Sequence, residues 1–227
     1  MAKLPLPNHM KERRTVADRP GQRLGPFVTI SRQFGCYGVS LGLLMLEILN
    51  DEAPAGREWN IYNREILQKL ATETNMAAEL LDRERRTKPR LIVDFFRSLS
   101  PEHIPSGFEI RNRITTIIRG LAMGGYAVLI GQGGAGATQD LPNGLSIRLE
   151  APLDWRVKRV AAREGISETA AKARIGTIEE GREYLRKIYE VKFARKPAFH
   201  LTYDCSVFTV AQLAQHAVYA MKLRGCV

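Results

Sequence analysis

A short apolar run that stops at a glycine-punctuated loop constrains the fold of this chain most. Residues 27–31 are β-prone, Gly35 and Gly38 follow in a polar loop, and the apolar segment 41–49 comes next. This order predicts a buried strand, a loop and a helix, with the N–H groups of the loop and of the helix start directed at an anion such as phosphate. The phosphate-loop pattern G-x-x-x-x-G-K-[ST] is not met, because valine rather than lysine follows Gly38.

Length and charge indicate one large globular domain with a basic surface. The chain has 227 residues and a formal net charge of +10, which favours nucleotides, nucleic acid or an anionic membrane surface as partners. A solvated basic surface explains the charge equally well. The most apolar segment, 41–49, is too short to cross a bilayer. Cys36, Cys205 and Cys226 lack metal or disulfide spacing, and the opening residues lack a secretory pattern, so we expect a reducing, cytoplasmic location.

Strands and helices alternate along the chain, which predicts an α/β fold with a mostly parallel sheet and ligands beyond the carboxyl ends of its strands. The predicted strands are 27–31, 59–62, 126–130, 145–149 and 201–205. The predicted helices are 39–49, one starting at 64, 76–86, 91–99, 110–121, 154–163, 169–174, 178–192 and 210–223. Asn63 and Ser167 are expected to cap the helices that follow them. Residues 1–25 are predicted to be a flexible basic tail, and 26–227 a single domain.

Three segments are candidates for binding an anion. In the first, residues 31–40, Gly35 and Gly38 permit close backbone approach, Arg32 could replace the missing lysine, and the Ser40 hydroxyl could meet a magnesium ion. The same glycines also suit an ordinary strand–turn–helix junction. Glycines after the strand 126–130 form the second, where a sharp turn is the simpler explanation. The third is a set of arginines from residue 156 onward, which a solvated basic surface would also explain: Arg156, Arg159, Arg163, Arg174, Arg182, Arg186 and Arg195.

Six segments in this order resemble the cytidylate kinase-like family of P-loop nucleoside-monophosphate kinases. They are 30–40 in the first loop, 62–66 after the second strand, 128–132 at a strand end, 151–159 in the arginine helix, 164–171, and 179–184. The resemblance implies a three-layer fold with a five-stranded parallel sheet, an acceptor-binding helical region at about 63–124 and a lid at about 165–197. It implies transfer of the ATP γ-phosphate to a nucleoside monophosphate, CMP-like in its base, assisted by Mg²⁺.

The resemblance also assigns roles to residues. Catalytic roles go to the arginines that would stabilise the transferring group: Arg32, Arg156, Arg159 and Arg182. Donor phosphates would bind the loop residues: Ser31, Gln33, Gly35, Cys36, Tyr37, Gly38, Val39 and Ser40, with Ser40 as the magnesium ligand. The acceptor would bind the residues after the second and third strands: Tyr62, Arg64, Gly131 and Gln132. Apart from the resemblance, the position of Cys36 before a helix predicts a lowered pKa for its thiol, with no catalytic role expected.

This chain departs from the family pattern at several of these positions. Tyr37-Gly38-Val39-Ser40 stands where relatives have Gly-Gly-Arg-Glu, and Gln132 stands where they have arginine. A left-handed turn at Tyr37 would cost about 1–2 kcal/mol, and each lost arginine contact about 2–4 kcal/mol of transition-state stabilisation. Two further functions therefore stay open. One is a nucleotide-binding protein without catalysis, and the other is a nucleic-acid-binding protein, which only the net charge favours.

Overall fold

The computed structural model describes residues 24–67, 107–192 and 199–227, with side chains described for 24–67, 114–183 and 199–227. The predicted tail up to residue 23 and the predicted helices 76–86 and 91–99 lie outside the described residues.

The strands form one five-stranded sheet in which every described pairing is parallel, in the order β2-β3-β1-β4-β5. Their bounds are β1 Phe27–Arg32, β2 Asn60–Tyr62, β3 Ala127–Ile130, β4 Gly144–Glu150 and β5 Leu201–Asp204. Phe27 lies beside Ala127 of β3 on one side and Gly144 of β4 on the other. The loop that follows β1 therefore leaves the middle of the sheet. The predicted α/β fold with a five-stranded parallel sheet is confirmed.

Helices cover both faces of the sheet, because the apolar side chains of β1 alternate between them. Val28 and Ile30 belong to one core cluster and Phe27 to the other. The helices are α1 Gly38–Asp51, α2 Gly107–Gly124, α3 Gly134–Ala137, α4 Leu153–Glu164, α5 Glu168–Lys192 and α6 Val210–Leu223. α1 and α6 supply side chains to the first cluster and α2 to the second. Within the described residues, no helix is long and apolar enough to span a bilayer.

The stretch 169–192 differs from its prediction. Two helices separated near Gly176 were expected, but α5 runs without a break from Glu168 to Lys192. The two-helix prediction was wrong because a glycine inside a helix weakens it by only about 1 kcal/mol and does not end it. The predicted cap is confirmed, since the Ala170 N–H donates to Ser167 Oγ at 3.2 Å.

A third, small core cluster joins α5 to α4. It contains Val157 and Val160 of α4 with Ala171 and Ile175 of α5, and Phe34 from the loop after β1 packs against it. This packing holds the first turns of α5 against α4 and beside the loop that follows β1.

Candidate functional site

The loop between β1 and α1 is shaped by one glycine. Gly35 has φ +97°, and a Cβ there would lie 3.0 Å from Arg156 Cβ, so this position requires glycine on both counts. Tyr37 has φ −76°, in the range that any residue adopts, and the Leu41 N–H donates to its carbonyl at 2.8 Å as α1 begins. The expected left-handed strain at Tyr37 was therefore wrong, because Gly35 supplies the reversal two residues earlier.

The side chain of Tyr37 packs against α4. Its ring meets Trp155 edge to face, with ring centroids 5.6 Å apart, and the Arg159 guanidinium lies 3.8 Å from the Tyr37 ring centroid. Stacking of a cation on an aromatic face is favourable, more so where water is excluded. Among the predicted catalytic arginines, Arg159 is thus placed against the outer side of the loop, and its buried Nε has no hydrogen-bond partner.

Arg156 also joins the loop to α4. It is 7% exposed, and its Nε donates to the Ala151 carbonyl at 3.0 Å while Nη1 donates to the Phe34 carbonyl at 3.3 Å. Gln33 adds a parallel link, since its Oε1 accepts the Ala151 N–H at 3.0 Å. In this conformation both side chains bind main-chain atoms and position the loop.

A cleft of about 390 Å³ opens beyond the carboxyl ends of β1, β3 and β4. Four arginines from four different parts of the chain line it, together with backbone from the glycine turn after β3 and one carboxylate. The lining residues include Ser31, Arg32, Arg64, Gly131, Gln132, Arg148, Glu179 and Arg182. Of the predicted segments, the end of β1 with Ser31 and Arg32, the second glycine segment and the lid arginine Arg182 meet at this cleft, whereas residues 33–40 of the predicted loop are not among its lining residues.

Arg32 crosses the floor of the cleft between two glycines. Its Cγ and Cδ lie 3.0 Å from where a Cβ on Gly38 would be, and its Nη1 occupies the place of a Cβ on Gly131. The pKa of Arg32 is lowered to about 10, because the guanidinium is buried and because Arg182 lies nearby; Glu65 and Glu179 oppose that shift. A charged group held in such unfavourable surroundings gains most from a bound anion.

Arg64 and the residues after β3 form the opposite wall. The Ile66 N–H donates to Asn63 Oδ1 at 3.0 Å, which confirms the predicted cap and fixes the helical turn that begins at Arg64. Gln132 has φ 54°, an uncommon value for a residue with a side chain, and lies between two glycines that also have positive φ. Tyr62 is 4% exposed and belongs to the second core cluster.

Arg148 was missed by the sequence reasoning. It lies on β4 and is buried, its Nη1 donates to Ser31 Oγ at 3.1 Å, and its Nε pairs with Glu150 at 3.1 Å. An arginine within the apolar run 145–149 was the available signal, because a charged residue is seldom buried on a parallel strand without a partner or a ligand.

Two side chains of α5 close over the loop. Glu179 accepts the backbone N–H of Phe34 at 2.5 Å, and Arg182 Nη1 donates to the Arg32 carbonyl at 3.0 Å and pairs with Glu179 at 3.4 Å. Burial lowers the pKa of Arg182. The Phe34 ring lies beneath the guanidinium groups of Arg163 and Arg182, 5.3 Å and 5.5 Å from its centroid. The carboxylate of Glu179 thus accepts a hydrogen bond from a backbone N–H that could otherwise donate to a phosphate.

The predicted magnesium ligand, Ser40, is not among the residues that line the cleft. Val39 and Ser40 are exposed on the first turn of α1. Among the described residues there is no group of three His, Cys, Asp or Glu side chains that could hold a metal ion.

The Cys36 thiol was expected to have a lowered pKa. Its pKa is instead raised, because the thiol donates a hydrogen bond to Cys205 and is partly buried. Proximity to the start of α1 was a poor guide here, since the local partner outweighs the helix dipole.

The parallel sheet flanked by helices and the arginine-lined cleft beyond its strands define a three-layer α/β protein with a positively charged cleft. The sequence profile of the Cytidylate kinase-like family matches residues 27–207, and the chain belongs to this family. A crystal structure of an uncharacterized protein from Eubacterium ventriosum is similar, with a TM-score of 0.62 and 19% identity over 87% of this chain and 98% of that chain. TT1252 from Thermus thermophilus has a TM-score of 0.45 and 18% identity, over 90% of this chain and 100% of that chain. No curated protein matches the chain significantly.

Proposed function

We propose that this protein is a phosphotransferase that moves the γ-phosphate of ATP to a nucleoside monophosphate with a CMP-like base, at a rate reduced by its altered loop. The observation that carries the proposal is the convergence of four arginines on one cleft beyond the strand ends: Arg32, Arg64, Arg148 and Arg182. Phosphoryl transfer needs little covalent chemistry from the protein. It needs two polyanions held in line and the charge of the transferring group neutralised.

The roles follow from position. Arg64, beside the glycine turn, would bind the acceptor phosphate, while Arg32 and Arg182 face the space between acceptor and donor. Arg148 would hold Ser31 and contribute charge from the floor of the cleft. Guanidinium groups suit this task because they stay charged and bind two phosphate oxygens at once. Donor phosphates would lie along the loop 33–38, with ATP bringing Mg²⁺ as its complex. Movement of α5 toward the ligand would exclude water and limit hydrolysis.

A second candidate, a nucleotide-binding protein without phosphoryl transfer, is favoured by one observation. Glu179 binds the Phe34 amide and Arg182 binds the Arg32 carbonyl. The Phe34 N–H and the Arg182 guanidinium, which would otherwise bind phosphate, are therefore already hydrogen-bonded within the protein. No lysine follows Gly38 to contact the donor phosphates. Nucleic-acid binding stays supported by the net charge alone.

Calorimetric titration with CMP and with ATP–Mg²⁺ tests binding, and an ADP-release assay over a panel of monophosphates tests catalysis. Arg148→Met should weaken CMP binding about 10- to 100-fold, as expected for a lost charged hydrogen-bonding group. Arg224→Met changes the net charge equally on an exposed residue after α6 and should leave binding unchanged. Binding without ADP release favours the second candidate. Absence of heat with every nucleotide would contradict both.

A further inference from the structure

Two side chains of α5 form a closed set of contacts with the loop after β1, which we call the latch. Glu179 accepts the Phe34 N–H at 2.5 Å, and Arg182 Nη1 donates to the Arg32 carbonyl at 3.0 Å. The two side chains also pair with each other, at 3.4 Å. The latch therefore holds one anion and one cation of α5 on main-chain atoms of the loop, and each also holds the other.

Both groups of the latch are engaged at positions where ligands would bind. The Phe34 N–H belongs to the loop along which the donor phosphates are proposed to lie, and its acceptor is a carboxylate, which competes with phosphate oxygens for such donors. Arg182 lines the cleft, yet its guanidinium already has a carboxylate and a carbonyl as partners. A ligand at either place has to replace contacts that the protein makes with itself.

The part of α5 that carries the latch lies beyond the small apolar cluster that joins α5 to α4. Ile175 is the last residue of α5 in that cluster. Gly176 follows it and Gly181 precedes Arg182, and a Cβ at either glycine would meet nothing within 4 Å. Glycine inside a helix weakens it relative to alanine. Breaking the latch would therefore allow this part of the helix to move without disturbing the cluster.

We propose that the latch couples the two ligand sites, so that a donor phosphate on the Phe34 N–H displaces Glu179 and thereby releases Arg182 for the acceptor. This inference rests on the proposed function and deepens it, because it assigns the regulation of the same cleft. The latched state binds neither ligand fully, since each ligand needs a group that the latch engages. The first ligand must open the latch, whereas the second binds a protein in which the latch is already open.

The coupling acts in both directions. An acceptor that draws Arg182 away removes the partner that positions Glu179, and the Phe34 N–H becomes available to the donor. Thermodynamic linkage requires the two effects to be equal, so each ligand should tighten the binding of the other by the same factor. We expect a factor of about 5 to 30, which lies within the usual range of coupling between two sites.

Calorimetric titration of the full-length protein tests the proposal with CMP and a non-hydrolysable ATP analogue in the presence of Mg²⁺. In the wild type, saturating analogue should tighten CMP binding about 5- to 30-fold, and saturating CMP should tighten binding of the analogue equally. In Glu179→Gln, CMP alone should bind more tightly than it does to the wild type, and the coupling factor should fall below about 2. Glu180→Gln makes the same change in charge at an exposed position of the same helix and should keep the wild-type factor.

Arg182→Met tests the other half of the latch. In this variant CMP should bind weakly whether or not the analogue is present, because the guanidinium that the donor would release is missing. Equal CMP affinity with and without the analogue in the wild type, where both ligands bind, would overturn the latch and leave the proposed function intact. An unchanged coupling factor in Glu179→Gln would overturn the latch as well. Absence of binding by both ligands would instead contradict the proposed function on which the latch rests.

Discussion

The backbone N–H of Phe34 donates a 2.5 Å hydrogen bond to the carboxylate of Glu179. The donor belongs to the loop that follows the central strand, and the acceptor belongs to α5. A carboxylate and a phosphate oxygen compete for the same kind of donor, because both are anions that accept from backbone amides. Glu179 therefore stands where a ligand's negative charge would be favoured, and a bound phosphate would have to displace it.

Removing that charge should strengthen anion binding. We expect Glu179→Gln to bind ATP about 5- to 30-fold more tightly, because the competing carboxylate and its repulsion of phosphate are lost. Glu180→Gln, an exposed neighbour on the same helix, makes the same change in net charge and should bind ATP as the wild type does. Calorimetric titration of both variants measures the difference. Equal affinities for the two would show that Glu179 does not compete for the site.

The burial of the charged Arg32 side chain should lower the free energy of unfolding of the protein without ligand. Because burial lowers its pKa to about 10 in the folded protein, below its value in the unfolded chain, the unfolded chain binds more protons above about pH 10 and stability rises with pH there. Arg32→Met should be more stable than the wild type by about 1–3 kcal/mol near pH 8, and the difference should shrink by about 1 kcal/mol near pH 10.5. Urea unfolding of both proteins at the two pH values measures this. A variant that is less stable at both would contradict the inferred cost of burial.

Substitutions of Arg156 and of Arg182 should have different effects: the first should mainly lower stability, and the second should mainly weaken ligand binding. Arg156 is 7% exposed and donates to two main-chain carbonyls, so Arg156→Met should lower the free energy of unfolding by about 2–4 kcal/mol. Arg182→Met removes a partly exposed cleft residue and should cost less than about 1 kcal/mol of stability while weakening CMP binding about tenfold or more. Denaturant unfolding and CMP titration on each variant check the contrast. The reverse pattern would make Arg156 the ligand-binding residue.

Two glycines with positive φ, one packed against α4 and one in open space, allow the cost of crowding to be separated from the cost of backbone strain. Gly35 has φ +97° and its added Cβ would lie 3.0 Å from Arg156 Cβ, whereas Gly56 has φ +76° with nothing within 4 Å. Gly56→Ala should cost about 1–2 kcal/mol, the price of the backbone conformation alone. Gly35→Ala should cost at least about 2 kcal/mol more, because side chains of α4 must also move. Thermal unfolding measures both, and equal losses would mean that the loop moves freely away from α4.

The order of elements followed from the sequence. The β-prone runs 27–31, 126–130 and 145–149 became β1, β3 and β4, and the helix 210–223 has the predicted bounds, because hydrophobic periodicity and turn residues are local signals. The cap at Asn63 was equally local. α5 was misjudged because Gly176 weakens a helix that packing against α4 still supports.

The sequence predicted which segments form the site. The packing of the folded chain determines which of their side chains line the cleft. Residues 31–40 and 131–132 were expected near phosphate because strand ends in a parallel sheet share an edge. The sequence could not show that Arg156 binds carbonyls while Arg148 lines the cleft, since both are arginines among apolar residues and differ only in what surrounds them. Local propensity sets the elements of this protein, and the three-dimensional arrangement of side chains from distant segments sets which charges face the cleft.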